Sequence, residues 1–335
     1  MSKTRSRQVA VAVAPELVSA SIVTATFGPL DSIGRGAYAA ANALQASGAR
    51  IHIDGYPDRR EFGNEFVADE RQSESCTALD FRDPVLWQRD PSRRTIGFVN
   101  QPTSIAPVAW EIPMRRVDAV VVPSRWIAET VKPFARAVVA APPVDPAYSF
   151  RPKVRGLVFR VVFCVAPGLE HRKGWDIARA AFLAAFGEQE DVELVVRSPY
   201  PIDLVTGDRR IQLEVGRRSV DAMAHLYQTA DVLLYPSRAQ SFGGAALESM
   251  ACGTPVIHTG ATGMRAFTDR SMQVSHRAFP GLNGVGEWRE AHVESIVDRL
   301  RQAYAGTWPT AAADSAWVKE RYTREAYVSA LLPIL

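Results

Sequence analysis

The chain has 335 residues, 47% of them hydrophobic and 22% charged, with a net charge of +3. That length is long for one core and comfortable for two domains, and the balance is that of a soluble globular protein. Basic residues come in short, separated groups (Arg5 and Arg7, Arg59–Arg60, Arg93–Arg94, Arg115–Arg116), which argues against the dense stripe of a dedicated nucleic-acid binder but leaves a phosphate-bearing substrate open.

Strand-like and helix-like segments alternate in chain order. Ser21–Phe27 is β-rich and leads through GPLDSIGRG to an alanine-rich helix that ends at Gly48. Arg50–Tyr56 reads as the next strand. Residues 57–93 read as polar and irregular, with a short helix around PVLWQR. Thr95–Asn100 and Asp118–Pro123 are strands, Ser124 caps the helix RWIAETVKPF, and Arg136–Pro143 is another strand. PPVDPAYSFRPKVRG, rich in proline, is the linker candidate. The alternation then restarts: strand VFRVVFCVA, helix KGWDIARAAFLAAF, strand VELVVRS, helix SVDAMAHLYQTA, strand DVLLYP, helix GAALESMAC and strand PVIHT, with a helical end from about Glu290. Repeated βα units imply parallel sheets with helices on both faces. The expected fold is therefore α/β, with two doubly wound Rossmann-like domains facing across a cleft. Residues 1–150 form the first, 151–317 the second, and a helix at about 318–335 packs back on the first. Ligands belong at the carboxyl ends of the strands, in that cleft.

Cys76, Cys164 and Cys252 are too few and too far apart for a disulfide framework or a metal site. The N-terminus has a basic start but only a broken apolar stretch, so a signal peptide is not expected, and no run approaches the length of a membrane span. The expected location is cytoplasmic, with peripheral membrane contact through a basic or amphipathic face left open.

Two segments carry the chemistry. In GLEHRKGWDIARAAFLAAF, Arg172 and Lys173 stand just before a helix, where unpaired N–H groups and a partial positive charge already favour anions. Lysine is rare in this arginine-biased chain, and it acts on phosphate as a compact point charge. A solvated loop is the competing reading of that pair taken alone. In DVLLYPSRAQSFGGAALESMACG, Gly243 and Gly244 let the backbone approach a ligand at the start of a helix. Glu248, further along that helix, could accept two hydrogen bonds from a ribose diol. A tight turn and a solvated helix face are the plain alternatives, and the pairing of the two segments favours a phosphate site. Gly34 and Gly36, between a strand and a helix in the first half, do not complete a dinucleotide fingerprint but could let their loop approach the ligand from the other side. Asn100 and Gln101, after the strand TIGFV, could touch an acceptor, and Glu111 in AWEIP is a reserve base. The histidines form no cluster, and His171 reads as a loop histidine near the phosphate site.

These segments resemble the retaining family 4 glycosyltransferases of GT-B fold. VDAVVVPSRWIAETV resembles the family's segment at the end of the N-terminal domain, PPVDPAYSFRP its linker, and HRKGWDIARAAFLAAF its diphosphate-binding segment. LYQTADVLLYPSRAQSFGGAALESMACGTPVIHTGATG resembles its most specific signature, and GVGEWREAHVESIVDRLRQAY its C-terminal helix region. The resemblance implies a nucleotide diphosphate sugar as donor, a UDP- or GDP-sugar, and no cofactor or metal. Lys173 and Arg172 would hold the diphosphate. Ser241, Phe242, Gly243 and Gly244 would contact phosphate or donor-sugar oxygens, and Glu248 would bind the ribose. Gln240 falls where the family usually has a glutamate facing the donor sugar, so the donor's identity is open. Gly168 stands where a basic residue is usual, with Arg172 a replacement for it. The acceptor could be a glycan, a lipid carrier, a small metabolite, a protein or a modified nucleic acid, and the oligomeric state is open. An inactive nucleotide-sugar-binding subunit, motivated by Gln240, and a GT-B epimerase or hydrolase are the alternatives to a transferase.

Overall fold

The computed structural model describes residues 22–26, 40, 42–47, 50–54, 76–89, 91–153, 156–281, 284–306 and 311–335. Gly34 and Gly36 lie outside these residues. Two six-stranded sheets, parallel in every strand pair, form the frame. The first contains β1 (Ile22–Thr26), β2 (Arg50–Asp54), β3 (Cys76–Asp80), β4 (Thr95–Phe98), β5 (Ala119–Val122) and β6 (Ala137–Val139), in the order β2-β1-β3-β4-β5-β6. The second contains β7 (Phe159–Cys164), β8 (Val192–Ser198), β9 (Ile211–Val215), β10 (Val232–Tyr235), β11 (Val256–His258) and β12 (Met272–Gln273), in the order β12-β11-β10-β7-β8-β9. Each order reverses once, between β1 and β3 and between β7 and β10. Such a reversal makes the connecting loops part and leaves a crevice at the carboxyl ends.

Strands covered on both faces read as apolar runs. Every residue of β5 (AVVV) and β10 (VLLY) is buried. Helices bury stripes against these sheets. In Trp175–Ala185, Trp175, Ala178, Phe182 and Ala185 recur at helical spacing, and Phe182 meets Phe186 at 5.5 Å between ring centroids. Burying a side chain such as Phe182 contributes about 1.5–3 kcal/mol. Ser219 caps Val220–Thr229 through the Ala222 N–H (3.2 Å), and Thr323 caps Arg324–Leu331 through the Ala326 N–H (3.1 Å).

The end of the chain touches both units. In the helix Ala311–Arg321, Ser315 donates to the Ala251 carbonyl (2.6 Å) and Val318 joins the core around Tyr227 and Leu247. Tyr327, Val328, Leu331 and Ile334 then join the core of the first sheet, where Thr77 donates to the Leu335 carbonyl (2.9 Å).

The alternation read from the sequence misses several elements. β3 lies inside the stretch read as irregular, and among its described residues a 3-10 turn, Pro84–Leu86, stands in place of the short helix. β9 and β12 went unread. An antiparallel hairpin, β13 (His276–Pro280) with β14 (Glu287–Ala291), stands outside both sheets. Among the described residues no helix is long and apolar enough to cross a membrane.

Candidate functional site

The site builds up at the carboxyl ends of β7 and β10. β7 runs into a loop and a one-turn helix, Glu170–Lys173, closed by Gly174 in the left-handed region (φ +78°). A Cβ at Gly174 would run into the Pro236 carbonyl, so glycine is what lets this loop lie against the segment after β10. The helix read over KGWDIARAAFLAAF thus starts at Trp175, with Arg172 and Lys173 before it in a separate one-turn helix, since left-handed Gly174 cannot continue the spiral.

Lys173 is half-buried and its Nζ lies 3.4 Å from the Tyr235 hydroxyl and 5.1 Å from that ring's centroid. Burial, with Arg172 adding repulsion, lowers its pKa from 10.5 to about 7, while Cys164 and Glu248 pull it the other way. Arg172, also half-buried, donates from Nη1 to the Ala239 carbonyl (2.9 Å), and its own carbonyl accepts the Arg238 N–H (2.9 Å). Burial lowers its pKa as well. Two partly desolvated cations side by side are a costly arrangement without an anion between them. Gly168, also at positive φ, has open space where a side chain would begin.

After β10 the chain makes a buried loop. Gln240 is 6% exposed. Its Nε2 donates to Ser237 Oγ (2.5 Å), its N–H to Thr262 Oγ1 (3.1 Å), and its carbonyl accepts the Gly263 N–H (2.8 Å). Thr262 has φ +57°, a left-handed conformation that β-branched residues rarely adopt. Phe242 is buried edge-on against Tyr322. Gly243, at φ +104°, is the cap of the helix Gly244–Ala251, and a Cβ there would lie 2.9 Å from the Phe267 ring. At Gly244 a Cβ would meet nothing within 4 Å, so the first turn of this helix faces open space. Glu248 is half-buried on the same helix and close enough to act electrostatically on Lys173 and Tyr235.

The first sheet closes the other side. Asn100 Oδ1 accepts the Ser241 hydroxyl (2.6 Å), and Ser124, which caps Arg125–Val131, donates to the Ser241 carbonyl (2.6 Å). Asn100 therefore stands across the cleft from the glycine pair. Gln101 turns away and donates to Asp83 (2.8 Å), and Glu111 holds Arg115 on an exposed helix face.

Sequence reasoning passed over Arg238, only 2% exposed. Its guanidinium binds both Asp176 oxygens (2.9 and 2.7 Å), Glu290 (3.0 and 2.7 Å) and the His171 carbonyl (2.6 Å), and lies over the Phe279 ring. It ties the Lys173 loop to the β13–β14 hairpin. Its one signal was an arginine two places after an apolar strand, which does not reveal partners so distant in sequence. Among the described residues no group of three or more His, Cys, Asp or Glu side chains is placed to hold a metal.

Residues 160–279 match the family model described as glycosyl transferases group 1. The D-inositol 3-phosphate glycosyltransferase of Mycolicibacterium smegmatis is 29% identical over 100 residues, which is 30% of this chain and 22% of that relative. The matched segment thus spans under a quarter of that relative's length. Among solved structures, a glycosyltransferase from Rickettsia africae aligns with a TM-score of 0.65 at 12% identity, covering 94% of this chain and 97% of that one. WaaG, a glycosyltransferase involved in lipopolysaccharide biosynthesis, aligns at 0.61 and 14% identity, over 93% and 99%. The pneumococcal O-GlcNAc transferase GtfA, solved with UDP and GlcNAc, aligns at 0.59 and 13% identity, over 76% and 55%. The fold is GT-B, with two Rossmann-like domains facing across a cleft.

Proposed function

We propose that this protein is a retaining glycosyltransferase that moves a sugar from a nucleotide diphosphate sugar to an acceptor hydroxyl. The observation that carries the reading is the convergence of Lys173, Arg172 and the open first turn at Gly243–Gly244 on the crevice between β7 and β10. UDP bound to the structurally similar GtfA supports a uridine nucleotide as the first donor to try.

The bond from the anomeric carbon to the diphosphate breaks as a bond to the acceptor oxygen forms on the same face. The acceptor's proton passes to the departing phosphate oxygen, and a nucleoside diphosphate leaves. Charge grows on that diphosphate, and preorganised cations and helix amides are worth most where charge develops. Lys173, Arg172 and the amides of Gly243 and Gly244 take that role, rather than a metal ion. Removing one such contact costs on the order of 3 kcal/mol, roughly a hundredfold in rate. Glu248 accepts the ribose hydroxyls, and Gln240 faces the donor sugar without adding a negative charge.

The test is calorimetry with UDP- and GDP-sugars, followed by an assay of slow nucleotide release. Binding with release, both reduced in Lys173→Met, supports the transferase. Binding without release assigns a nucleotide-sugar-binding subunit, and absence of binding sinks both. Gln240→Glu tested on a panel of donors should change donor preference. Unchanged preference with normal turnover would remove this position from specificity.

A further inference from the structure

The two cations of the crevice are held differently. Arg172 is anchored by the Ala239 carbonyl, whereas among the described residues the one hydrogen-bond partner of Lys173 Nζ is the Tyr235 hydroxyl, at 3.4 Å. The same side chain makes a second contact, because Nζ lies 5.1 Å from the centroid of the Tyr235 ring, within cation–π range. β10, VLLY, is buried throughout, and Tyr235 is its last residue. Its ring packs in the core that holds Leu233, Phe242 and Leu247, and its register partner on β11 is His258. A phenylalanine would fill that core as well. The hydroxyl is the part the core does not need, and a buried phenol requires a polar partner. It finds one at the carboxyl end of the strand, where β10 meets the crevice.

Three other charged or titratable groups act on the amine. Arg172, beside it in the one-turn helix, repels it, while Cys164 from β7 and Glu248 from the helix Gly244–Ala251 attract it. Burial pushes the Cys164 thiol up to about 11, so it stays neutral where Lys173 titrates. Burial also raises the Tyr235 phenol well above its ordinary value, which keeps it an intact O–H group. Its oxygen can accept from an ammonium, and its proton can be given to a neutral amine. An ammonium carries three donors, so one can stay on Tyr235 while the others reach phosphate oxygens. We propose that Tyr235 is a positioning residue of the transferase site proposed above: its hydroxyl holds Lys173 at the crevice and stays bonded to the ammonium as the diphosphate binds. This role rests on the reading of Lys173 as a diphosphate ligand.

The experiment is a nuclear magnetic resonance titration of the nucleotide-free full chain, labelled with carbon-13 at lysine Cε, with UDP calorimetry beside it. The chain has five lysines, and Lys173→Met identifies the Lys173 signal by its loss. A charge-assisted hydrogen bond is about twice as strong as a neutral one, so removing the Tyr235 oxygen costs the ammonium more than the amine. Tyr235→Phe keeps the ring in the core. It should lower the Lys173 midpoint by about half a pH unit or more, and weaken UDP binding at pH 6 by about threefold or more. Tyr227→Phe removes a hydroxyl from the same core, one that meets Cys164 Sγ (3.9 Å) rather than Lys173, and should leave the midpoint in place. A lower melting temperature with an unmoved midpoint assigns Tyr235 a purely structural role and overturns the proposal. An equal shift in Tyr227→Phe overturns it as well, since the effect then belongs to the core at large. A lowered midpoint with unchanged UDP affinity overturns the role in diphosphate binding. The titration needs no nucleotide, so if the unaltered protein binds no UDP the transferase reading fails, while the hold of Tyr235 on Lys173 is still decided by the midpoint.

Discussion

Lys173 should make stability and nucleotide affinity run in opposite directions with pH. In the folded chain its amine titrates near 7, whereas in the unfolded chain it returns to the ordinary lysine value. Between about pH 7 and pH 10 the unfolded state therefore binds more protons. Unfolding free energy rises with pH across that window, by at most about 1.4 kcal/mol per unit from this group, and by less because the side chain keeps some exposure. Below the folded value both states are protonated and the contribution is constant. Diphosphate binding works the other way. The anion stabilises the ammonium form, so above pH 7 binding must take up a proton and affinity falls by up to about tenfold per unit. Arg172→Gln removes the neighbouring cation. The free-site value should rise and the alkaline fall in affinity should move to higher pH, although total affinity drops. Lys173→Met should remove this group's contribution to both dependences, and it cancels the nucleotide's own titration when used as the reference. The measurements are UDP calorimetry between about pH 6 and pH 9 and nucleotide-free melting curves over the same window. The reasoning is refuted if Lys173→Met keeps the slope of the unaltered protein.

Arg238→Met leaves Glu290 without its buried partner and should cost about 3 kcal/mol in urea denaturation. That is the lower end for a buried pair, because the Asp176 side chain is 57% exposed and Glu290 keeps Arg277. Arg115→Ala, which breaks an exposed pair with Glu111, should cost no more than about 0.5 kcal/mol in the same assay. Gly263→Ala puts a methyl into the Ser241 carbonyl, which also accepts Ser124, so melting temperature and UDP-sugar affinity should fall together, the former by the equivalent of about 1–3 kcal/mol. Thr262→Gly relieves the positive φ while removing the acceptor for the Gln240 N–H, so its stability should change by less than about 1 kcal/mol. Thr262→Ala loses the same bond and keeps the strain, and it should melt below Thr262→Gly.

The elements legible in the sequence are those whose energetics are local. β5 and β10 show as apolar runs because both of their faces are covered, and Ser124 shows as a cap because its partner is three residues away. β3 does not show, because CTALD is half polar. Its buried Thr77 is satisfied by the carbonyl of Leu335, and Asp80 by Arg82. β9, IQLEV, is an edge strand whose exposed residues include Gln212 and Leu213, so its alternation is weak. The hairpin strands HRAFP and EWREA carry charge where a core strand carries valine, because they pack on Arg238 through Glu290 and Phe279 rather than on a sheet face.

The same division runs through the candidate site. Lys173, Gly174, Gly243 and Gly244 can be read from short stretches because each acts through its own backbone or charge. The placement of that charge is not local. Arg238 bonds the Arg172 and His171 carbonyls on one side and Glu290 on the other, joining three segments that span more than a hundred residues. A desolvated lysine is useful only if the anion arrives where the helix amides also point. The Lys173 loop and the glycine-pair loop are held to each other by Arg172 on Ala239 and by Gly174 under Pro236. A buried arginine saturated with carboxylates and carbonyls resists rearrangement, since any shift strands a charge. Arg238 thereby fixes the distance between the two halves of the anion site while touching neither the open turn at Gly244 nor the Lys173 amine.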